Sequence, residues 1–245
     1  MTSRERVLSS INHREPDRVA RDLGATPSSG ISAIGYNKLT KYAGWDAGPA
    51  KIYDVVQQLA QPDEIVLNKL NIDVVDIGRT FNEKSSDWKP FILSDGSEGL
   101  IPVWFNPVRE ANGSYSVYYK DGTKIAYMPL GATFFDGTYV PYPDEIPEDL
   151  SDLDAQMDKI LWQNMAHSPW DHSNEPDFWE QLRKRAIHLK ETSDRALMIV
   201  CGCNLFEWGS FLRRLDNFFC DIMIDQEGVI RLVEALMERH MATLE

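Results

Sequence analysis

The chain has 245 residues, of which 43% are hydrophobic, and it carries a formal net charge of −13 at pH 7. This excess of acidic residues disfavours nonspecific binding of nucleic acids, which needs a positive surface, and less strongly disfavours a substrate with many carboxylates. The length suits one large domain or two small ones. Three cysteines are too few for a disulfide framework, the first residues are polar and charged, and no apolar run is long enough to span a membrane. We therefore expect a cytoplasmic, reduced protein.

Hydrophobic periodicity and capping residues predict helices and short buried strands along the chain. The opening predicts a helix capped by Thr2 or Ser3 and, after Pro16-Asp17, a strand over 19–23 that leads into Gly24. Further helices are expected over 31–43, 62–70, 155–166, 177–192, 205–215 and 226–244, with a short helix or turn over 55–59, and further strands over 72–77 and 196–201. Short strands of Val and Ile that alternate with helices are typical of an α/β domain with parallel strands.

The stretch from about 85 to 140 differs from this alternation. Asp95-Gly96 and Asp121-Gly122 are hairpin turn signals. The second signal lies between 115–120 and 123–127, two segments that can pair as strands. We therefore predict a β insertion over about 85–140, followed by a link rich in proline and acidic residues.

Several segments resemble the uroporphyrinogen decarboxylase superfamily, which also contains zinc methyltransferases that act with corrinoid proteins. The segments are residues 1–19, 54–63 (DVVQQLAQPD), 70–75 (LNIDVV), 202–208 (GCNLFEW), 211–218 (FLRRLDNF) and 221–222 (DI). The resemblance implies a (β/α)8 barrel of the TIM type, in which residues 1–245 form the N-terminal portion of a single domain that carries the β insertion. Because the family pattern stops about half way round the barrel, we expect a fragment, or a barrel completed by another copy or another chain.

The resemblance also implies where the site lies, because the active site of such barrels is at the carboxyl ends of the strands. The residues that follow the strands here are Gly24 to Thr26, then Gly78 to Thr80, then Cys203, Asn204, Glu207 and Trp208. With Asp22 inside the first strand, the substrate-pocket candidates are Asp22, Thr26, Arg79, Thr80, Asn204, Glu207 and Trp208. The resemblance assigns no catalytic residue among them.

Some polar residues have two interpretations. Arg79 either binds an anion or forms an ion pair. Glu207 acts as a general acid or base, or it only stabilises a helix N-terminus. Asp22 is functional, or it is a strand carboxylate held by a partner. His167 and His172 flank a Pro-Trp pair in a loop-like stretch, and we interpret both as surface residues.

The resemblance favours methyl transfer between a corrinoid and a small molecule, with tetrapyrrole decarboxylation as the alternative. The decarboxylases follow the first strand with an arginine-rich segment, whereas residues 24–36 contain no Arg or Lys. Thr80 stands about where they place an Asp, and Ser210 or Phe211 stands where they place a Tyr. Because a substrate with many acid groups cannot be desolvated without cations, decarboxylation is disfavoured. A third interpretation is a catalytically incomplete fragment or a binding module.

The sequence does not determine which cofactor the protein binds. The resemblance implies zinc and a corrinoid, but the His-x-Cys pair and later Cys that hold zinc in the family belong to the second half of the barrel. Cys201-Gly-Cys203 has a spacing that invites a metal. We nevertheless interpret Cys201 as a core residue and Cys203 as facing the pocket, and we expect no bound zinc in the isolated chain. The expected partners are a small-molecule substrate, a corrinoid protein and further copies of this chain in a homo-oligomer, with no nucleic acid and no membrane.

Overall fold

A computed structural model of the chain describes residues 1–78, 82–166, 173–200, 202 and 204–244. Its helices are α1 (Ser3–Ile11), α2 (Ala33–Ala43), α3 (Glu64–Lys69), α4 (Leu153–Met157), α5 (Leu161–Asn164), α6 (Phe178–Thr192), α7 (Leu205–Arg213), α8 (Leu215–Ile224) and α9 (Gln226–Leu244). Its strands are β1 (Ile31–Ser32), β2 (Ala50–Asp54), β3 (Leu59–Gln61), β4 (Val74–Asp76), β5 (Trp88–Ile92), β6 (Glu98–Pro102), β7 (Val108–Arg109), β8 (Tyr115–Tyr118), β9 (Lys124–Met128), β10 (Asp136–Gly137) and β11 (Ala196–Met198). The bounds of α2, α6 and α9 lie within two residues of those predicted.

Local sequence signals explain where the first helices begin and end. Thr2 and Glu5 form a capping box, in which the Glu5 N–H donates to Thr2 Oγ1 over 3.2 Å and the Thr2 N–H donates to Glu5 Oε2 over 2.8 Å. Ser32 caps α2 by accepting the Gly35 N–H. Gly44 ends α2 in the left-handed conformation, with φ of 64°, as its position after the last apolar residue predicts.

The described chain divides into two compact units. The first unit comprises Met1–Asn106, Gly131–Phe134 and Asp171–Val200. The second unit comprises Pro107–Leu130, Phe135–Trp170 and Cys201–Glu245.

The first unit contains a five-stranded mixed sheet with the strand order β1-β3-β2-β6-β5. β2 and β6 run parallel, with Ala50 opposite Gly99, and the other neighbours are antiparallel. The predicted turn at Asp95-Gly96 connects β5 to β6, and Gly96 supplies the positive φ, 82°, that such a turn requires. The segment over 55–59 is a turn that leads into β3.

A separate two-stranded sheet of the first unit consists of β4 and β11, which run parallel. Val74 lies opposite Ala196, and Asp76 lies opposite Met198. α1 packs against both strands, and α6 packs against β11. The strands predicted over 72–77 and 196–201 are therefore present in shortened form, and they are paired with each other.

Buried charges connect the N-terminal segment to this strand pair. Asp73, whose side chain is fully buried, accepts hydrogen bonds from Arg6 Nη1 over 2.7 Å and from Arg18 over 2.7 and 2.9 Å. It also accepts the Arg21 N–H over 2.8 Å. The strand predicted over 19–23 is wrong. The Arg21 carbonyl accepts the Asp73 N–H over 2.8 Å, but the Arg21 N–H donates to the Asp73 carboxylate, and residues 19–23 are not a strand.

The second unit contains a four-stranded antiparallel sheet with the order β10-β9-β8-β7. The predicted turn at Asp121-Gly122 connects β8 to β9, so the expected pairing of 115–120 with 123–127 is confirmed. Helices α7, α8 and α9 pack on one another. Their core consists of Tyr142, Ile146, Leu153, Ile160, Trp208, Leu212, Phe218, Leu232 and Leu236.

The expected (β/α)8 barrel is wrong. The described residues form sheets of five, four and two strands, and none of these is an eight-stranded parallel barrel. The short connections at the Asp-Gly turns explain part of the difference, because a strand that returns through a short hairpin connection must lie antiparallel to the one before it. Within the described ranges, strands run parallel only between β4 and β11 and between β2 and β6.

Candidate functional site

The carboxyl ends of β4 and β11 lie side by side in the first unit. The in-register parallel pairing continues past Asp76, because the Ile77 N–H donates to the Met198 carbonyl over 2.9 Å. The chain that leaves both strands therefore starts from the same edge. Ligands of α/β proteins bind beyond the carboxyl ends of parallel strands, and this edge is therefore our candidate site.

Asp76, Glu83 and Arg185 form a polar cluster at this edge. Asp76 Oδ1 accepts the Gly78 N–H over 3.1 Å, which turns the chain away from the end of β4. The Asp76 carbonyl accepts a hydrogen bond from Arg185 Nη2 over 3.3 Å, and Arg185 Nη1 forms an ion pair with Glu83. The Arg185 side chain is 21% exposed and that of Glu83 is 45% exposed, so water reaches this pair.

Asn82, in the chain segment between β4 and β5, has a buried acceptor. Only 3% of the residue is exposed, and its Oδ1 has no hydrogen-bond partner among the described residues. A buried carbonyl oxygen without a donor costs free energy unless a ligand or water supplies one. Asn82 directly precedes Glu83, whose carboxylate meets Arg185.

The sequence contains a signal for one member of this cluster, Arg185, which is not among the pocket residues predicted above. Arg185 follows Leu182 by three residues and Phe178 by seven in α6, and both of these residues are buried. Positions at this spacing share one face of a helix, so the sequence places a cation on the apolar face of α6. Such a cation needs an acidic or carbonyl partner near that face. No comparable signal identifies Asn82.

Two of the predicted pocket residues, Asp22 and Thr26, lie in the first unit. Both side chains are half-buried. Asp22 Oδ1 accepts the Ala25 N–H over 3.1 Å, so this carboxylate has the local partner that one of its two interpretations required. The Thr26 carbonyl accepts the Ser29 hydroxyl over 3.1 Å, at the start of a 3-10 turn over Pro27–Ser29. These bonds shape the backbone after Leu23.

Three other predicted residues, Asn204, Glu207 and Trp208, lie in the second unit. Asn204 is exposed and precedes α7, where its carbonyl accepts the Trp208 N–H over 3.1 Å. Glu207 is exposed in the first turn of α7, where a negative charge stabilises the helix dipole. Trp208 is 6% exposed and packs in the core with Leu212 and Phe218. Its large apolar ring thus contributes to the stability of this unit.

The remaining predicted residues lie outside the part of the chain that the structure describes. They are Arg79, Thr80, His167, His172, Cys201 and Cys203. The two interpretations of Arg79, as an anion ligand or as a member of an ion pair, and the interpretation of the Cys-Gly-Cys segment as core and pocket stay predictions.

The described residues do not offer a ligand set for zinc. No three His, Cys, Asp or Glu side chains within the described ranges lie close enough together to hold a metal ion. The Glu83 carboxylate pairs with Arg185, whose positive charge competes with a cation for its oxygens.

No family model matches the chain, and no curated protein and no solved structure matches it either. None of the described helices has the length and apolar character needed to cross a membrane.

Proposed function

We propose that this chain is a cytoplasmic, methyltransferase-like protein that binds a small molecule at the carboxyl ends of β4 and β11. The observation that carries the proposal is the in-register parallel pairing of these strands, with Asp76 opposite Met198. Segment 70–75, which resembles the corrinoid-linked methyltransferases, includes the first residues of β4, and segment 202–208, which also resembles them, follows β11 in the chain. The proposal keeps the chemistry that the resemblance implies and abandons its barrel fold.

Methyl transfer suits the charges of this edge better than decarboxylation of a tetrapyrrole with many acid groups. Arg185 is the described cation at the end of β4, and it is shared between Glu83 and the Asp76 carbonyl. Residues 24–36 contribute no Arg or Lys. Among the described residues of this edge, one shared guanidinium does not balance several carboxylates, whereas it suffices for a small substrate with one anionic group.

The roles of the protein residues are binding and orientation. A corrinoid, presented by a partner protein, supplies or accepts the methyl group when it is bound. Arg185 provides a directional contact for the small molecule, and Asp76 holds the turn at Gly78 through its Oδ1. Holding the two reactants in a fixed geometry accelerates a transfer by lowering its entropic cost.

The test is a methyl-transfer assay with methylcobalamin and a panel of small thiols, run on this chain and on a version extended through the downstream reading frame. We expect transfer by at least one of them, reduced in the Arg185→Gln variant. Arg214→Gln is the matched control, because Arg214 forms an exposed ion pair with Asp216 in the second unit. Absence of transfer with both versions would refute the proposal.

Three further measurements test the alternatives and the metal. Turnover of uroporphyrinogen without methyl transfer would favour the decarboxylase. Binding of small molecules with neither activity would favour a binding module. Zinc content of both versions, measured by elemental analysis before and after changing Cys201 and Cys203 to Ser, tests whether the Cys-Gly-Cys segment holds a metal.

A homo-oligomer is part of the same proposal. Phe219, Met223 and Ile224 of α8 are 53%, 75% and 80% exposed, and large apolar side chains at such exposure favour association. Sedimentation should give a mass above 28.0 kDa. A stable monomer at micromolar concentration would contradict this part of the proposal.

A further inference from the structure

The outward face of α8 belongs to an apolar patch, which consists of Phe206 of α7 and of Leu215, Phe219, Met223 and Ile224 of α8. Leu215, Phe219 and Met223 follow one another at a helical spacing of four residues. The ring of Phe206 packs edge to face against that of Phe219, with 5.4 Å between the ring centroids. Each of the five residues is between 47% and 80% exposed. The patch is therefore continuous across α7 and α8 and faces solvent.

The patch lacks charged side chains that would favour contact with water. In residues 217–224, all of which the structure describes, Asp221 is the only charged residue. Its carboxylate is buried and pairs with Arg213 over 2.6 Å, so it does not belong to the outward face. Cys220 is exposed on that face, next to Phe219. A helix that is apolar on its outward face as well as towards the core is typical of an interaction surface.

The area of the patch suits a second copy of this chain. A large apolar side chain has on the order of 200 Å² of surface, so the five residues together expose roughly 600 Å². Covering one patch with another buries roughly 1,200 Å² in total, which reaches the size of a specific protein interface. Because each copy has a net charge of −13, two copies repel one another overall, and a surface without charge is where they can meet.

The charges at the two ends of α8 decide how two copies align. Arg214 lies at the start of the helix, and Asp225 and Glu227 follow its C-terminal end. Two parallel α8 helices would bring these acidic ends together, where they repel. In an antiparallel pair, Arg214 of each copy instead lies beside Asp225 of the other. The midpoint between Arg214 and Asp225 lies between residues 219 and 220, so the two-fold axis passes there.

We propose that the apolar patch of α7 and α8 is the interface of a homodimer, in which two α8 helices pack antiparallel about a two-fold axis near Cys220. The inference rests on the homo-oligomer of the proposed function, and it names the surface and the symmetry of that oligomer. Phe219 and Met223 lie at the buried centre of the interface, and the charges at its rim set direction more than affinity. The two Cys220 thiols therefore approach each other across the axis.

The first test is analytical ultracentrifugation of the wild type and of Met223→Glu. We expect a wild-type mass of twice 28.0 kDa. The variant should have a dissociation constant at least about tenfold higher, because each copy would bury an unpaired carboxylate. Met223 is 75% exposed, so the variant should keep its fold, which circular dichroism verifies. The matched control is Tyr42→Glu, which places the same charge on a residue of α2 that is 94% exposed and lies outside the patch.

The second test is cross-linking through Cys220. With Cys201→Ser and Cys203→Ser, Cys220 is the remaining cysteine. We expect a covalent dimer on oxidation with copper phenanthroline, because facing residues beside a two-fold axis are close enough for a disulfide. The control chain also has Cys220→Ser and Lys184→Cys, so its single cysteine is at an exposed position of α6. It should not cross-link at the same protein concentration.

Several results would overturn the inference. They are a dimer that Met223→Glu leaves unchanged, a dimer that Tyr42→Glu weakens equally, cross-linking no faster at Cys220 than at the control cysteine, or a monomer that binds phosphatidylcholine vesicles through Met223. The assay of methyl transfer gives a separate answer. A dimer through α8 without methyl transfer would refute the proposed activity alone, and methyl transfer by an oligomer indifferent to Met223→Glu would refute only this interface.

Discussion

Replacing Asp73 by Asn should cause a large loss of stability in the first unit. The wild-type carboxylate is fully buried and accepts hydrogen bonds from Arg6, Arg18 and the Arg21 N–H at 2.7 to 2.9 Å. Asparagine keeps one oxygen, but its NH₂ group faces donors, and two guanidinium groups lose their shared anion. Removing one partner of a buried ion pair costs about 3–5 kcal/mol.

We expect the lower end of this range for Asp73→Asn, about 3 kcal/mol of free energy of unfolding. Arg6 retains Asp17 as a partner, and the Arg18 side chain, 30% exposed, can turn towards water. The matched control is Asp216→Asn, which breaks an ion pair whose two side chains are 63% and 59% exposed. Such a pair contributes at most about 1 kcal/mol, so the control should remain close to the wild type.

The same reasoning predicts a dependence on pH. Burial raises the pKa of Asp73, but hydrogen bonds from Arg18, the Arg21 N–H and Arg6 outweigh it and lower the pKa from 3.8 to about 2. A carboxylate whose pKa is lowered in the folded protein stabilises the fold at pH values above its pKa in the unfolded chain. For Asp73 this contribution is about 2 kcal/mol, and it is lost as the pH falls from about 4 to about 2. Asp73→Asn should therefore lose less stability than the wild type over this interval.

The assay is urea unfolding followed by circular dichroism at pH 7 and at several values down to pH 2, for the wild type and both variants. A loss below about 1 kcal/mol for Asp73→Asn at pH 7, or a loss equal to that of Asp216→Asn, would refute the argument that this buried carboxylate is essential to the unit. Parallel acid curves for wild type and Asp73→Asn would refute the pKa argument.

Three further predictions concern the second unit. Gly209→Ala should lower the free energy of unfolding in urea by about 1–3 kcal/mol, because the new Cβ would lie 2.6 Å from Cε1 of Phe218 and force α7 and α8 apart. An unchanged midpoint of urea unfolding would contradict this close approach. Leu236→Ala should cost about 2–5 kcal/mol in the same assay, because the side chain is fully buried, and a smaller loss would show that the core around α9 is loose. Burial and the hydrogen bond to Asp152 raise the pKa of Tyr142 above its ordinary value of 10.0. The free energy of unfolding should therefore fall as the pH rises above 10.0. In unfolding experiments at alkaline pH, Tyr142→Phe should lessen that fall.

Local sequence signals determined much of the secondary structure of this protein. The capping box of Thr2 and Glu5, the Gly44 stop and the apolar stripe of α9 each depend on residues a few positions apart, so they act before any tertiary contact forms. The two Asp-Gly turns are local in the same sense. For that reason these elements could be predicted from the sequence.

Strand pairing could not be derived in this way, because a partner strand is chosen by contacts between residues far apart in the chain. β4 pairs with β11 across more than a hundred residues of sequence, as Val74 opposite Ala196 shows. The strand expected over 19–23 does not form, and Arg21 instead bonds to both the backbone N–H and the side chain of Asp73, about fifty positions away. The sequence alone does not show which of these distant residues come into contact.

The candidate site, too, was predicted only in part from the sequence. The sequence predicted that polar residues follow the strands, and it correctly located two strands, β4 and β11, whose carboxyl ends form the candidate edge. Only the tertiary structure decided that Trp208 packs in a core and that Arg185, from a helix about a hundred residues further on, meets Glu83 at the end of β4. Burial and ion pairing are properties of the folded chain, since they depend on which side chains exclude water from which others.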